Sequence, residues 1–302
     1  MSTWKDCGKG FYLVTTDHLS DKIWFRDEED FKAGMNAVPV IALAYSVKVV
    51  AFILMSNHVH FLLYCTREEA EQFISAYKGF YSRYLSCKYG IREMLRDNKH
   101  DIQLVIPDGE SLERVVAYIQ MNCVAANICL SSTDYRWGTG DAFFRTRPAK
   151  GVSVNSLSKR ARGKLMHSWK ELPDSLLIGE DGYILPSSYV DVKLVESLFG
   201  TPKRMSFFLR NSSKAKLRLS AENADLPSFR DQVIAAALED LCHTLFRKGS
   251  IKNLSEQQLA ELLRQLRFRF SSHAEQLARV CGISYDRVVA LLESPDTGAA
   301  LG

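Results

Sequence analysis

The pattern of apolar and polar positions predicts alternating strands and helices in the first half of the chain. Aromatic and β-branched runs predict strands at 11–16, within 42–54, at 57–64 and at 103–106. Apolar residues at helical spacing predict helices at 28–36, 67–88 and 111–126, and Pro39 is expected to end the first of these regions. The order βαββαβα indicates an α+β fold in which helices pack on an antiparallel sheet.

The second half of the chain has a different pattern, which divides the sequence into three predicted regions. Residues 146–224 are rich in Ser, Lys and Arg with short apolar runs, and we interpret them as a basic connector or a weakly structured insertion. Helical periodicity returns at 227–247 and 255–270, followed by a pair of short helices. The predicted domains are therefore 1–145, 146–224 and an all-helical domain at 225–302.

Composition excludes several classes of protein. The 302 residues are 46% hydrophobic and 25% charged, which is typical of a globular chain and not of a disordered or collagenous one. The longest apolar-rich stretch, Val38–Met55, is interrupted by Pro39, Ser46 and Lys48, so a membrane span is not expected. The first ten residues lack an apolar segment typical of a secretory signal. The seven cysteines form no C-x-x-C pair, which favours a reduced, cytoplasmic protein without a disulfide framework or thiolate zinc site.

Positive charge is concentrated in two segments although the net charge is only +4. Residues 145–170 contain eight Lys or Arg and no acid, and residues 201–220 contain six and no acid. Basic segments of this kind favour polyanions such as DNA, although a solvated, flexible linker is an equal alternative. The candidate DNA contacts in these segments are Arg145, Arg147, Lys159, Arg160, Arg162, Lys203 and Arg204.

Two histidines in the third predicted strand are candidate metal ligands. His58 and His60 are two residues apart, so in a strand both imidazoles project from one face while Val59 points to the other. Two convergent imidazoles can hold one divalent ion if a third ligand comes from elsewhere. The alternative is that both are ordinary residues on the polar face of the sheet.

The predicted helix at 111–126 offers a partner for these histidines. Tyr118 and Asn122 are one turn apart on one helix face, and a helix packed on the histidine-bearing face of the sheet would bring both to the metal. The alternative is a half-buried tyrosine with a bonded hydroxyl and an asparagine near the helix end. Three other tyrosines, at 77, 81 and 84, have the spacing of a packing or DNA-facing stripe.

Several segments resemble, in the same order, the motifs of the REP-associated tyrosine transposases, which belong to the single-tyrosine His-hydrophobe-His transposase superfamily. Residues 55–63 resemble the M-P-N-H-hydrophobe-H strand, with Ser56 in place of the proline. Residues 118–128 resemble the Y-I-x-x-N-P-V-x-A-G-L helix, with Cys123 and Asn127 in place of proline and glycine. Residues 134–139 resemble the Y-x-W-S-S segment, and residues 81–90 the helix between the two main motifs.

This resemblance implies a ferredoxin-like sheet domain of the His-hydrophobe-His nuclease type and a transposase that cuts and joins single-stranded, hairpin-forming DNA. Tyr118 would be the nucleophile that forms a 5′-phosphotyrosine with DNA. His58, His60 and Asn122 would hold Mg²⁺ or Mn²⁺, leaving the charge of the ion available to the phosphate. The expected partner is DNA, with the protein as a monomer or a homodimer.

The end of the chain resembles a helix-turn-helix. Gly282 is expected to form the turn of the segment 271–292, and Ser284 to cap the second helix. Ser284, Tyr285 and Arg287 would begin the helix that faces DNA. A plain helical hairpin that closes a bundle is the alternative.

Two other functions compete with the transposase. A domesticated relative would bind DNA without cleaving it, and a metal-dependent phosphohydrolase would act without a covalent tyrosine intermediate. The presence of Tyr118, both histidines and Asn122 favours the transposase over the non-catalytic relative.

Overall fold

The computed structural model describes residues 8–16, 23–91, 95, 98–126, 128–167, 171–212, 231–270 and 272–293. The strands are β1 (Gly10–Thr16), β2 (Lys48–Leu54), β3 (Val59–Cys65), β4 (His100–Val105), β5 (Val152–Ser153) and β6 (Leu177–Ile178). The first helices are α1 (Glu28–Ala44), α2 (Arg67–Tyr89), α3 (Ser111–Gln120), α4 (Asn122–Ala125) and α5 (Lys159–Met166). The later helices are α6 (Val192–Phe199), α7 (Pro202–Asn211), α8 (Asp231–Phe246), α9 (Glu256–Phe270), α10 (Ala274–Cys281) and α11 (Tyr285–Glu293).

The main sheet has the strand order β2-β3-β1-β4, and every pairing in it is antiparallel. This is the ferredoxin-like arrangement, so the predicted α+β fold with a helical C-terminal part is confirmed. Phe61 of β3 contacts Phe73 and Tyr77 of α2, whereas the neighbouring His60 contacts Tyr118 of α3. The two helices therefore cover opposite faces of the sheet, and α3 covers the face that carries His60.

Helix α2 begins and ends where its local sequence dictates. The Thr66 side chain accepts a hydrogen bond from the backbone N–H of Glu69, and the Glu69 carboxylate accepts one from Thr66 N, which together form a capping box. Gly90 ends the helix in the left-handed region at φ +68°. The predicted cap at Thr66 is confirmed.

Helix α1 is longer than its sequence suggests, because Pro39 lies inside it. The predicted end at Asn36 and the predicted strand start at Ala42 are therefore both wrong. A proline at this position removes one backbone hydrogen bond and disfavours helix. The neighbouring Val38 and Ile41 are buried, so packing of this face against the core outweighs the local penalty.

The helix predicted at 111–126 is divided in two. Helix α3 ends at Gln120, and Met121, with φ −84° and ψ 1°, separates it from the single turn of α4. The predicted cap at Ser111 is also wrong, because its hydroxyl donates to the carbonyl of Ile106 instead of capping the helix. Asn127, the expected C-terminal residue of this unit, lies outside the described residues.

The segment Trp137–Thr139 covers the outer edge of β2. Leu54 N donates to the Trp137 carbonyl at 2.8 Å, and Thr139 N donates to the Phe52 carbonyl at 3.0 Å. A Cβ atom on Gly138 would lie only 2.8 Å from the Phe52 carbonyl oxygen, so the close approach requires glycine. The Tyr135 hydroxyl donates to the Leu54 carbonyl at 2.7 Å, which holds the end of β2.

The described part of the predicted connector packs into the sheet domain. Val195 and Phe199 of α6 and Phe208 of α7 are buried in the same core as the sheet. The Asn36 side chain in α1 also accepts a hydrogen bond from Ile184 N at 2.8 Å and donates to the Leu165 carbonyl at 3.2 Å. Residues 146–212 therefore form a packed insertion where they are described. The three domain boundaries stay a prediction.

The last four described helices form a second hydrophobic core, in which Leu262, Leu277 and Val288 are fully buried. Gly282 adopts φ +65° between α10 and α11, and the Ser284 hydroxyl accepts a hydrogen bond from Arg287 N at 3.4 Å. The predicted turn and cap are thus both present. Among the described helices, none combines the length and the hydropathy that a bilayer span requires.

The packed insertion gives a prediction about stability. Replacing Phe199, which is 1% exposed in the shared core, with alanine should lower the free energy of unfolding. We expect a loss of about 3–5 kcal/mol in urea denaturation followed by tryptophan fluorescence. The matched control is Phe207→Ala on the neighbouring helix, where the ring is 62% exposed and little change is expected. Equal effects of the two substitutions would contradict this packing.

Candidate active site

A four-residue turn between β2 and β3 carries the first candidate ligand. Leu54 pairs with Val59 across the hairpin, and Met55 N donates to the His58 carbonyl at 2.8 Å. His58 is thus the last residue of the turn and precedes the strand in which it was predicted. We call Met55–His58 the active-site turn.

His60 lies inside β3, and strand pairing fixes its orientation. Thr15 of β1 is directly opposite His60, and its hydroxyl lies 3.0 Å from His60 Nδ1. Because side chains alternate across a strand, Val59 is fully buried on the other face. His60 itself is only 2% exposed, beneath the face covered by α3.

The two imidazoles lie next to each other and use the same ring nitrogen for a protein partner. Their ring centroids are 5.0 Å apart at an interplanar angle of 88°. His58 Nδ1 is 2.8 Å from the Asn57 side-chain oxygen, an acceptor, so His58 carries its proton on Nδ1. If His60 Nδ1 likewise donates to Thr15, a metal ion at this site would have to bind Nε2 of both rings.

Tyr118 completes a row of three rings. Its ring meets that of His60 edge to face, with centroids 5.5 Å apart and an interplanar angle of 84°. The side chain is half-buried, and burial raises the pKa of the Tyr118 phenol above its usual value of 10.0. The neutral phenol is therefore favoured at pH 7, and a nucleophilic role requires a nearby positive charge.

Asn122 is buried just after the break in the helix. Its amide nitrogen donates to the carbonyls of Tyr118 at 2.9 Å and Ile119 at 3.2 Å. These two hydrogen bonds orient the amide and leave its oxygen as the atom suited to a metal. Although the helix breaks at Met121, these two hydrogen bonds still attach the Asn122 side chain to the helical turn that carries Tyr118.

The donor chemistry fits a weakly held divalent ion. Within the described residues, no group of three or more His, Cys, Asp or Glu side chains comes together. Among the described side chains, an ion at His58 and His60 would therefore find no carboxylate, and the amide of Asn122 is the expected third donor. Such a neutral set leaves the full charge of the ion for the remaining ligands, such as phosphate oxygens.

Sequence reasoning missed the residues that orient the histidines. Thr15 could be found only from the β1–β3 register, which the sequence does not give. Asn57 precedes His58 directly, so its presence in the matched motif was the available signal. The other candidate tyrosines are structural: Tyr77 donates to the Gly34 carbonyl and Tyr81 to the Trp24 carbonyl, and both are buried.

The predicted DNA contacts lie on four separate parts of the structure, namely the loop after Phe144 and helices α5, α7 and α11. All are exposed except Arg162, which is half-buried. Four of the arginines pair with other side chains: Arg145 with Asp141, Arg162 with Asn155, Arg204 with Glu110 and Glu113, and Arg287 with Glu256. The other six predicted contacts are Arg147, Lys159, Arg160, Lys203, Ser284 and Tyr285. Exposed ion pairs are weak and can exchange for phosphate, so these contacts stay predictions.

Part of the chain that contains this site matches a known family model. Residues 23–122 match the family model described as "Transposase IS200 like", a segment that includes both histidines, Tyr118 and Asn122. The solved structure of a REP-associated tyrosine transposase bound to a REP hairpin resembles the chain with a TM-score of 0.34 and 12% identity. The alignment covers 46% of this chain and 82% of that chain. No curated protein sequence matches the chain.

The environment of Tyr118 gives a prediction about its ionisation. In protein labelled at tyrosine Cζ, the NMR signal of Tyr118 is the one that disappears in Tyr118→Phe. At pH 10 this signal should still be that of the neutral phenol. The expected midpoint lies above 10 because burial disfavours the charged phenolate. A midpoint below that value in the metal-free protein would contradict the buried position.

Proposed function

We propose that this protein cuts and rejoins single-stranded, hairpin-forming DNA, because residues 23–122 match the IS200-like transposase family model. The observation that supports the proposal is the row of rings Tyr118, His60 and His58 within one chain. Under this proposal the nucleophile and two of the metal ligands come from the same chain. A non-catalytic DNA-binding protein would not need this arrangement.

Tyr118 is the proposed nucleophile. Its phenolic oxygen attacks the phosphorus of a phosphodiester, the bond between phosphorus and the 3′ oxygen breaks, and a 5′-phosphotyrosine forms. The phenol loses its proton, and the departing 3′ oxygen gains one to become a hydroxyl. Attack by a 3′-hydroxyl on the phosphotyrosine reverses these changes and rejoins DNA. The covalent link conserves the bond energy, so no ATP is needed.

His58 and His60 would hold Mg²⁺ or Mn²⁺ through Nε2, together with the amide oxygen of Asn122. The bound ion would supply positive charge beside the phenol and the scissile phosphate. Thr15 and Asn57 fix the two rings through their Nδ1 atoms, so the ligands are oriented before the ion arrives.

The covalent intermediate gives the first test. The full-length protein with Mn²⁺ and hairpin DNA labelled at its 3′ end should form an SDS-stable labelled adduct, and DNA labelled at its 5′ end should not label the protein. Tyr118→Phe should abolish the adduct, whereas the matched control Tyr45→Phe should keep it.

Three results would change the assignment. An adduct that survives Tyr118→Phe would transfer the nucleophile to another residue. Tight, salt-sensitive DNA binding without any adduct would support the non-catalytic alternative. DNA cleavage without a covalent product would support a phosphohydrolase.

The proposed ligands give the second test. Mn²⁺ binding, followed by electron paramagnetic resonance, should weaken by more than about 10-fold in His58→Ala and in His60→Ala. His100→Ala is the matched control, because His100 pairs with Glu71 of α2 at 2.8 Å. Wild-type affinity in both variants would exclude this ligand set.

A further inference from the structure

Asp231, at the start of α8, joins the sheet domain to the last four described helices. The residue is 3% exposed, and its carboxylate accepts a hydrogen bond from the Ser56 hydroxyl at 2.5 Å. It also accepts from Gln276 Nε2 at 2.9 Å and from Arg279 Nε at 3.1 Å, both in α10. One buried carboxylate thus connects the active-site turn to the first helix of the C-terminal helix-turn-helix-like pair.

Ser56 lies in the middle of the active-site turn, two residues before His58. Its carbonyl accepts hydrogen bonds from Trp24 N at 2.8 Å and Phe25 N at 3.0 Å, while its hydroxyl faces Asp231. The turn is therefore held from the sheet domain through its backbone and from the helical domain through a side chain. His58 closes the same turn through its carbonyl, so movement of Ser56 would shift His58.

The hydrogen bonds to the Asp231 carboxylate hold the active-site turn and α10 together. A buried carboxylate is costly unless its oxygens are fully hydrogen-bonded, and here Ser56, Gln276 and Arg279 together satisfy them. Hydrogen bonds to an ionised group are shorter and stronger than neutral ones. Loss of one donor would leave the Asp231 carboxylate with too few hydrogen bonds. The position of the active-site turn is therefore linked to the position of α10.

We propose that Asp231 is a positioning residue for metal binding, which acts through Ser56 to hold the turn that carries His58. This inference rests on the proposed function, since it assigns the turn to a metal-dependent site. It also gives a role to Ser56, where the resembling motif has a proline. A proline has no hydroxyl and could not make this contact.

Ser56→Ala tests the link while leaving Asp231, Gln276 and Arg279 in place. We expect Mn²⁺ affinity, measured by electron paramagnetic resonance on the full chain, to fall about 10-fold, the lower end of outer-shell effects. The Mn²⁺ concentration for half-maximal adduct formation should rise by the same factor, while circular dichroism should show that the variant is still folded at the assay temperature. Ser56→Thr keeps the hydroxyl and should retain most of the wild-type affinity.

Ser188→Ala is the matched control, because its hydroxyl donates to the Leu185 carbonyl at 2.7 Å within the insertion. It should leave Mn²⁺ affinity unchanged. A double-mutant cycle with Asp231→Asn gives the sharper result, since Ser56→Ala should cause little further loss in that background. Equal losses in both backgrounds, or wild-type affinity in Ser56→Ala, would overturn the proposal.

The same measurements separate this proposal from the proposed function. If the wild type binds Mn²⁺ and forms the adduct while Ser56→Ala behaves like the wild type, only the positioning role of Asp231 is wrong. If the wild type neither binds Mn²⁺ nor forms an adduct, both proposals are wrong.

Discussion

The register between β1 and β3 is the constraint on which the candidate site depends. It sets Thr15 opposite His60, and the alternation of side chains then sends Val59 into the core and His60 toward α3. A slip of one residue would exchange these faces and bury an imidazole among apolar side chains. Thr16 helps to fix this register, since its hydroxyl accepts a hydrogen bond from Val59 N at 2.9 Å.

The sequence predicts the parts of the site whose signals are local. The alternation around His60 and the helical spacing around Tyr118 lie in short segments and give the correct elements. His58 instead ends the turn before β3, and Asn122 follows the break in the helix. The expectation that Pro39 ends the helix is wrong, because burial of the neighbouring apolar residues decides the length of α1. Helix propensity alone contains no information about that tertiary packing.

Contacts that are distant in sequence could not be predicted. Ser56 and Asp231 are 175 residues apart, and neither residue type indicates its partner. The polar composition of 146–212 likewise gave no indication that Phe199 and Phe208 are buried, because their burial depends on contact with the sheet domain. A few large apolar side chains can anchor a segment that is otherwise rich in charge, because each buries a large apolar area.

The covered edge of β2 limits how this sheet can associate with other chains. Because Trp137–Thr139 occupies the backbone groups of that edge, a strand from another molecule cannot add there. Within the described residues, β4 is the other edge strand of the main sheet, and the Arg67 side chain donates to its Ile102 carbonyl at 3.1 Å. If two molecules paired through their β4 strands, each would use its remaining edge strand in that contact. Any assembly built in this way closes as a two-fold pair and cannot extend into a fibre.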